Sequence, residues 1–206
     1  IAEQNMLGIA MGLQAGGIPA YAATFAAFLT RAHDQIRMAG YSDANLKLAG
    51  SHTGVSIGED GPSQMGLEDF SMMRSVPDSV VLSPCDEKKK KKLTACTSSH
   101  NGISYLRTIR GKTPVIYNNS EEFHIGGSKV LRTGEGVRGF IIATGITVHE
   151  ALKAANLLKK EGIDAGVIDL YSIKPLDGET LRKASETADF FITVEDHFPE
   201  GGMGEA

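Results

Sequence analysis

The chain of 206 residues has no tryptophan and only two cysteines, Cys85 and Cys96. Two thiols exclude a disulfide framework or a cysteine-built zinc cluster, and they suit a reduced, cytoplasmic setting. Both read as small buried residues rather than nucleophiles. A surplus of positive charge is also missing. The 21 Lys and Arg stand against 25 Asp and Glu, a net charge of -4, so there is no electrostatic case for nucleic acid. Charge of either sign is absent from Gln4 to Thr30, a stretch as long as a membrane span. Gly16-Gly17-Ile18-Pro19 divides it, and no basic segment precedes it, which argues against both a spanning helix and a signal peptide. It reads as helix, turn and strand, all buried.

What is present is the composition of a soluble globular protein, 41% hydrophobic and 22% charged. The length allows one large or two small domains with ample core. The 24 glycines suit an α/β protein with many tight strand–helix turns.

Residues 3–15 read as a buried helix ending at Gly16-Gly17, followed by a strand over 19–23. Phe25, Phe28, Leu29, Ala32 and Ile36 recur at helical spacing to about Ala39. A strand over 46–50 leads into a Gly/Ser-rich loop over 52–64. Leu67, Phe70 and Met73 mark a short helix, 79–83 a strand, Asp86 the cap of a helix over 87–99, and 103–107 another strand. The pattern changes over 112–137. A second alternating unit follows, with strands over 139–143, 166–170 and 190–194 and helices over 147–160 and 178–187. Strands alternating with helices predict an α/β fold of two successive units with mainly parallel sheets. The expected boundary lies near Tyr117, giving units 1–117 and 118–206. The start without Met, and the closing Gly-rich turn from Glu200 that should lead into a helix, suggest truncation at both ends. Lys88 to Lys92 form a run of five lysines. Such a run is expected on a solvated face; five in a row cannot all face outward, and their repulsion should fray the helix slightly.

Glu3 heads the uncharged stretch, with nothing basic near it in sequence. Apolar surroundings predict a raised pKa and a proton held or shared near neutrality, as acid–base chemistry requires. A carboxylate in the first turn of a helix is the plainer reading. The segment from Ser51 to Gln64 sets His52, Glu59, Asp60 and Gln64 among three glycines just after a predicted strand, where open α/β sheets gather ligands. It has neither the Lys-Ser/Thr of a Walker loop nor EF-hand spacing, and an ordered surface loop fits it equally. Phe25 and Phe28 fit core positions by spacing alone. Arg107 ends a predicted strand, and Arg110 follows three residues after it. Either guanidinium suits a phosphate dianion, and strand alternation does not choose between them. His197, just past the last strand, reads as structural or interfacial.

Ile1-Ala2-Glu3-Gln4-Asn5-Met6, Thr24-Phe25-Ala26-Ala27-Phe28, Asp34-Gln35-Ile36-Arg37 and Gly54 to Gln64 together resemble the transketolases, in the form with Gln after Gly-Pro-Ser. The similarity continues through Tyr117-Asn118-Asn119, Ile173-Lys174-Pro175-Leu176-Asp177 and Val194-Glu195-Asp196-His197. The resemblance implies the later part of a pyrimidine-binding domain followed by much of a C-terminal domain. It implies a thiamine diphosphate enzyme that moves a two-carbon ketol unit from a ketose phosphate to an aldose phosphate, as in the pentose phosphate pathway. By the same resemblance Glu3 is the glutamate that activates the cofactor's aminopyrimidine. Phe25 and Phe28 pack around that ring, with Phe28 stacking on it, and Gln64 is a polar contact near it. His52 and Asp60 contact the sugar, with His52 helping proton transfer, and Arg110 grips the sugar phosphate. The family's Gly-Asp-Gly followed by Asn does not occur here, so no metal ligand is expected in this chain. The diphosphate and its divalent ion, Mg or Ca, would be held by a diphosphate-binding domain on a second subunit, a separate chain or a missing segment, in a dimer. The chain would be inactive alone. The lysine run departs from the family's mixed helix. The rival readings are a deoxyxylulose phosphate synthase, the beta chain of a 2-oxoacid dehydrogenase, or a non-catalytic regulatory subunit on the same fold.

Overall fold

The computed structural model describes residues 2–206; Ile1, which opens the first of the quoted strings, lies outside them. The uncharged opening folds as helix α1 (Glu3–Ala15), a turn at Gly16 and Gly17, and strand β1 (Tyr21–Phe25). Leu7 and Ala10 of α1 are buried, whereas Ile9 and Leu13 face out. The opening is therefore only partly buried, not wholly so as expected. The single helix expected over 25–39 is three pieces: α2 (Ala26–Leu29), a 3-10 turn at Thr30–Ala32, and α3 (His33–Tyr41).

Strands β1, β2 (Lys47–Ser51), β4 (Ser104–Arg107) and β3 (Val80–Leu82) lie parallel and side by side in that order. Helices α4 (Asp69–Arg74) and α5 (Glu87–Ser99) separate the later strands along the chain. Asp86 caps α5, its Oδ1 accepting from Lys89 N at 2.8 Å. A second sheet follows. Strand β5 (Lys129–Arg132) runs antiparallel to β7 (Ala165–Asp169), and β7, β6 (Gly139–Ala143) and β9 (Phe190–Val194) run parallel. Helices α6 (Thr147–Lys160) and α7 (Gly178–Ser185) cross over between them. The alternation thus yields two α/β units with mainly parallel sheets, as expected.

Two short antiparallel strands were not expected. One is β5. The other is β8 (Ser172–Lys174), which leaves the second unit and adds to the first sheet beside β3. The two units also share their interior. One continuous apolar cluster holds Leu7, Leu48, Phe70 and Tyr105 together with Phe140, Ile168, Ile173 and Met203.

Lys89 joins the units electrostatically. The lysine run does not form one solvated face, because Lys89 is completely buried in the middle of α5. Its ammonium contacts the Asp169 carboxylate at the end of β7, and Tyr117 donates its hydroxyl to the same oxygen at 2.7 Å. The rings of Tyr117, Tyr171 and Phe123 surround the ammonium at 4.3, 4.9 and 5.5 Å, a geometry that favours a cation. Burial pulls the Lys89 ammonium down to about 8, while the touching carboxylate favours the charged form. Helix α5 carries the run without a break from Glu87 to Ser99, so the expected fraying does not show.

Candidate functional site

Strands β1 and β2 end together, with Phe25 paired to Ser51. The chain after each end therefore meets its neighbour at the carboxyl edge of the sheet, the usual place for ligands in α/β folds. Phe25, Phe28 and Arg31 follow at intervals of three through a short α-helix and a 3-10 turn, which stacks them on one face. The rings of Phe25 and Phe28 lie 5.2 Å apart and nearly parallel at 8°. His52 stacks on Phe25 at 3.8 Å. The Arg31 guanidinium lies 4.8 Å over the Phe28 ring and donates to Glu3 Oε2 at 3.0 Å. Glu3, Phe28, Phe25 and His52, named from the sequence as site residues, thus meet in one run of contacts through Arg31. Both phenylalanines are half-buried rather than core residues.

His52 has φ +56, a left-handed conformation rare outside glycine. Such strain persists where the surroundings impose it. Here Ser51 Oγ lies 2.9 Å from His52 Nδ1, and Thr53 N donates to Thr108 O at 3.3 Å. The following loop folds as short 3-10 turns over Val55–Asp60, broken by a kink at Gly58, and over Pro62–Gln64. Asp60 meets Arg110 there, at 3.2 Å between Oδ2 and Nη1, with Glu59 at 3.6 Å from the same nitrogen. Arg110 also donates to Ile57 O at 3.3 Å. Gln64 donates locally, to Ser63 Oγ at 3.5 Å.

Arg107 is no rival to Arg110. It is buried, its Nε donates to Asp69 Oδ2 at 2.8 Å, and its Nη2 donates to the carbonyls of Gly66 and Asp196 at 3.1 and 2.7 Å. Arg107 holds the loop from beneath, whereas Arg110 is half-exposed at its rim. His197 is likewise structural. Its Nε2 accepts from Phe70 N at 3.0 Å and its Nδ1 lies 2.6 Å from Phe198 O.

The environment expected for Glu3 needs correction. Its side chain is only 5% exposed, but its surroundings are cationic as well as apolar. Hydrogen bonding, that from Arg31 included, outweighs burial and holds the carboxyl down at about 2, not above its usual value. Arg31 was missed from the sequence because it lies 28 residues away. Its spacing of three from Phe28 was the available signal. The arrangement also shows what fits. A guanidinium is flat and carries N–H donors, and it rests on the Phe28 face while bonding to Glu3. A flat heterocycle with a ring nitrogen directed at Glu3 suits the same pair of groups. Among the described residues, no three His, Cys, Asp or Glu side chains gather as a metal site. None of the described helices is long and apolar enough to cross a membrane.

Comparison with known proteins agrees with the geometry. Residues 1–115 match the family model "Transketolase, pyrimidine binding domain", and residues 126–206 match "Transketolase, C-terminal domain". The whole chain is 50% identical to a transketolase-like protein 1 of Bos taurus, covering 35% of it, and 50% identical to a transketolase of Homo sapiens, covering 33% of it. It therefore spans about a third of the length of these curated relatives. A solved structure described as a split gene transketolase, inactive beta4 tetramer, superposes on the entire chain with a TM-score of 0.91 at 34% identity, and 66% of that chain is covered. A transketolase from Campylobacter jejuni shares the fold over 96% of this chain and 32% of its own, with a TM-score of 0.85 at 23% identity. Two contiguous domain matches, together with an aromatic pair and a carboxylate set at one sheet edge, lead to one assignment: the chain belongs to the transketolase family.

Proposed function

We propose that the chain builds the pyrimidine side of a transketolase active site, moving a two-carbon ketol unit from a ketose phosphate to an aldose phosphate. The observation that carries this reading is the unbroken run Glu3–Arg31–Phe28–Phe25–His52. It sets an acid, an aromatic platform and an imidazole side by side. Thiamine diphosphate, when bound, supplies the electron sink for breaking and forming the carbon–carbon bond. Phe28 and Phe25 would flank its aminopyrimidine, with Gln64 as a polar neighbour and Glu3 hydrogen-bonded to a ring nitrogen. Glu3 favours a proton on that nitrogen by presenting a carboxylate to it.

His52 hydrogen-bonds sugar hydroxyls and moves a proton at its imidazole, which Ser51 and the Phe25 ring hold in orientation. Asp60 accepts from a sugar hydroxyl. Arg110 presents its guanidinium fork to the sugar phosphate, a dianion that outcompetes the Asp60 and Glu59 carboxylates for it. The diphosphate and its Mg or Ca ion belong to residues outside this sequence, on a second subunit, a separate diphosphate-domain chain or a further segment of the same polypeptide. The working unit is then a dimer or larger assembly, in the cytoplasm. The test is turnover by that reconstituted assembly with a ketose phosphate or pyruvate as donor, using wild type and Glu3→Gln. Turnover of the ketose phosphate that Glu3→Gln abolishes with little loss of folding is the expected result. Preference for pyruvate, or full activity of Glu3→Gln, refutes the reading.

A further inference from the structure

The loop bearing His52 and Asp60 is not held by the first unit alone. Thr53 and Gly66 form an isolated parallel bridge, and Gly54 N donates to Gly66 O at 2.9 Å. Gly54 has φ +73, and a Cβ there would come within 1.8 Å of Asp196 Oδ2. A carboxylate from the second unit fills the space beside this glycine. The same carboxylate accepts from Val55 N through Oδ1 at 3.0 Å. Val55 opens the first of two 3-10 turns that meet at a kink at Gly58 (φ +71) and end at Asp60, and that first turn has no side-chain cap of its own. Asp196 is therefore its cap, supplied from 141 residues away and 9% exposed.

Neighbouring contacts keep Asp196 in place. Its carbonyl accepts from Arg107, the guanidinium that also binds Asp69 and Gly66 O. The next two residues clip the far end of the loop. His197 accepts from Phe70 N, and Phe198 N donates to Leu67 O at 2.8 Å. The turn after β9 thus grips the segment from Gly54 to Phe70 at both of its ends.

We propose that Asp196 is a positioning residue for the transfer reaction: by holding Val55 N and filling the space beside Gly54 it fixes where the loop that carries Asp60 leaves His52. This rests on the functional reading above only in naming the reaction; the mechanical role stands on the contacts alone. The second unit then acts on the site as the clamp of its substrate loop, without touching substrate.

The test separates the two claims. Amide hydrogen exchange at Val55 is measured by NMR on the chain with Asp196→Ala and Asp196→Asn. Alanine removes the acceptor, and exchange at Val55 is expected to quicken about tenfold or more. Asparagine keeps an oxygen acceptor of the same reach, and protection is expected to return to within about threefold of wild type. In the reconstituted assembly, Asp196→Ala is expected to raise KM for the ketose phosphate about tenfold, and Asp196→Asn to restore it. Unchanged protection at Val55 in the alanine variant overturns the proposal, as does an asparagine variant no better than alanine. Loss of the ketose phosphate activity in wild type would strike the functional reading instead, since the exchange result does not depend on it.

Discussion

Replacing Asp69 with alanine tests how the site is supported. Asp69 is 1% exposed and Arg107 3%. Asp69 Oδ2 accepts from Arg107 Nε at 2.8 Å and from the Tyr105 hydroxyl at 2.7 Å. Alanine leaves a guanidinium in the interior with two carbonyl acceptors and the Phe70 ring 4.5 Å away, but no carboxylate bonded to it, only the charge of Asp196 acting at a distance. Removing one member of a buried ion pair costs about 3–5 kcal/mol, because the survivor keeps its desolvation penalty. The Tyr105 hydroxyl loses its acceptor as well, and the two losses overlap because they share one oxygen. For a chain of this size each kcal/mol lowers Tm by roughly 2–4 °C, so a fall on the order of 10 °C is expected by circular dichroism. Urea unfolding would give the free energy directly. The decisive arm is the double variant Asp69→Ala with Arg107→Met, which removes the orphaned charge. It is expected to recover part of the loss. An Asp69→Ala variant within about 1 kcal/mol of wild type, or a double variant less stable than the single, refutes the argument that the buried charge is what matters.

Arg110→Ala is expected to leave stability within about 0.5 kcal/mol of wild type while raising KM for phosphorylated sugars roughly tenfold to a hundredfold. Equal KM values for phosphorylated and free sugars in wild type would refute the phosphate role. Arg31→Met removes the fold's own cation from Glu3, and the Glu3 carboxyl is expected to titrate roughly 1–3 pH units higher by carbon-13 NMR; an unmoved titration shows that Arg31 does not control it. Lys47 is buried, donates to the carbonyls of His100 and Gly102, both at 2.7 Å, and is pulled by burial to about 8. Its folded pKa lies below the ordinary 10.5, so between pH 8 and 10.5 the unfolded chain binds more protons and stability rises with pH. Solvent screening reduces the gain to the order of 1 kcal/mol. Lys47→Met is expected to remove that share of the slope in urea titrations from pH 7 to 10.5, and an unchanged slope refutes it.

The contrast between local and tertiary signals explains which parts were legible in the sequence. Helices α5 and α6 fall where the pattern set them, because a capping Asp86 and a clear apolar period are local features. The strand Ser172–Lys174 carries only three residues and gains its identity from pairing with β3, so no period could reveal it. The half-exposed Lys129–Arg132 lies in the stretch 112–137, where the sequence pattern changes and no strand was expected, for a similar reason. The helix expected over 25–39 breaks at Thr30–Ala32, and that break brings Arg31 onto the face of Phe28.

The same distinction governs the charges. Arg107 and Arg110 could not be told apart because only Arg107 belongs to β4, whose four residues are all buried, while Arg110 lies beyond the strand's end, where strand alternation says nothing. What separates them is the partner. Arg107 meets Asp69 and Asp196 O, whereas Arg110 meets Asp60 at the rim. Glu3 was expected to be shaped by the uncharged residues beside it in sequence, but its pairing with Arg31 is set across a helix turn and a strand. Lys89, one of five identical neighbours, is distinguished only by the aromatic rings and the carboxylate that the second unit brings to it. Sequence pattern states which face a residue takes, while charge pairing depends on what the fold sets opposite. An ionisable residue's role in this chain therefore follows from its partner: the Arg107 and Lys89 pairs hold the units and the loop together, and the exposed Arg110–Asp60 pair can open to a ligand.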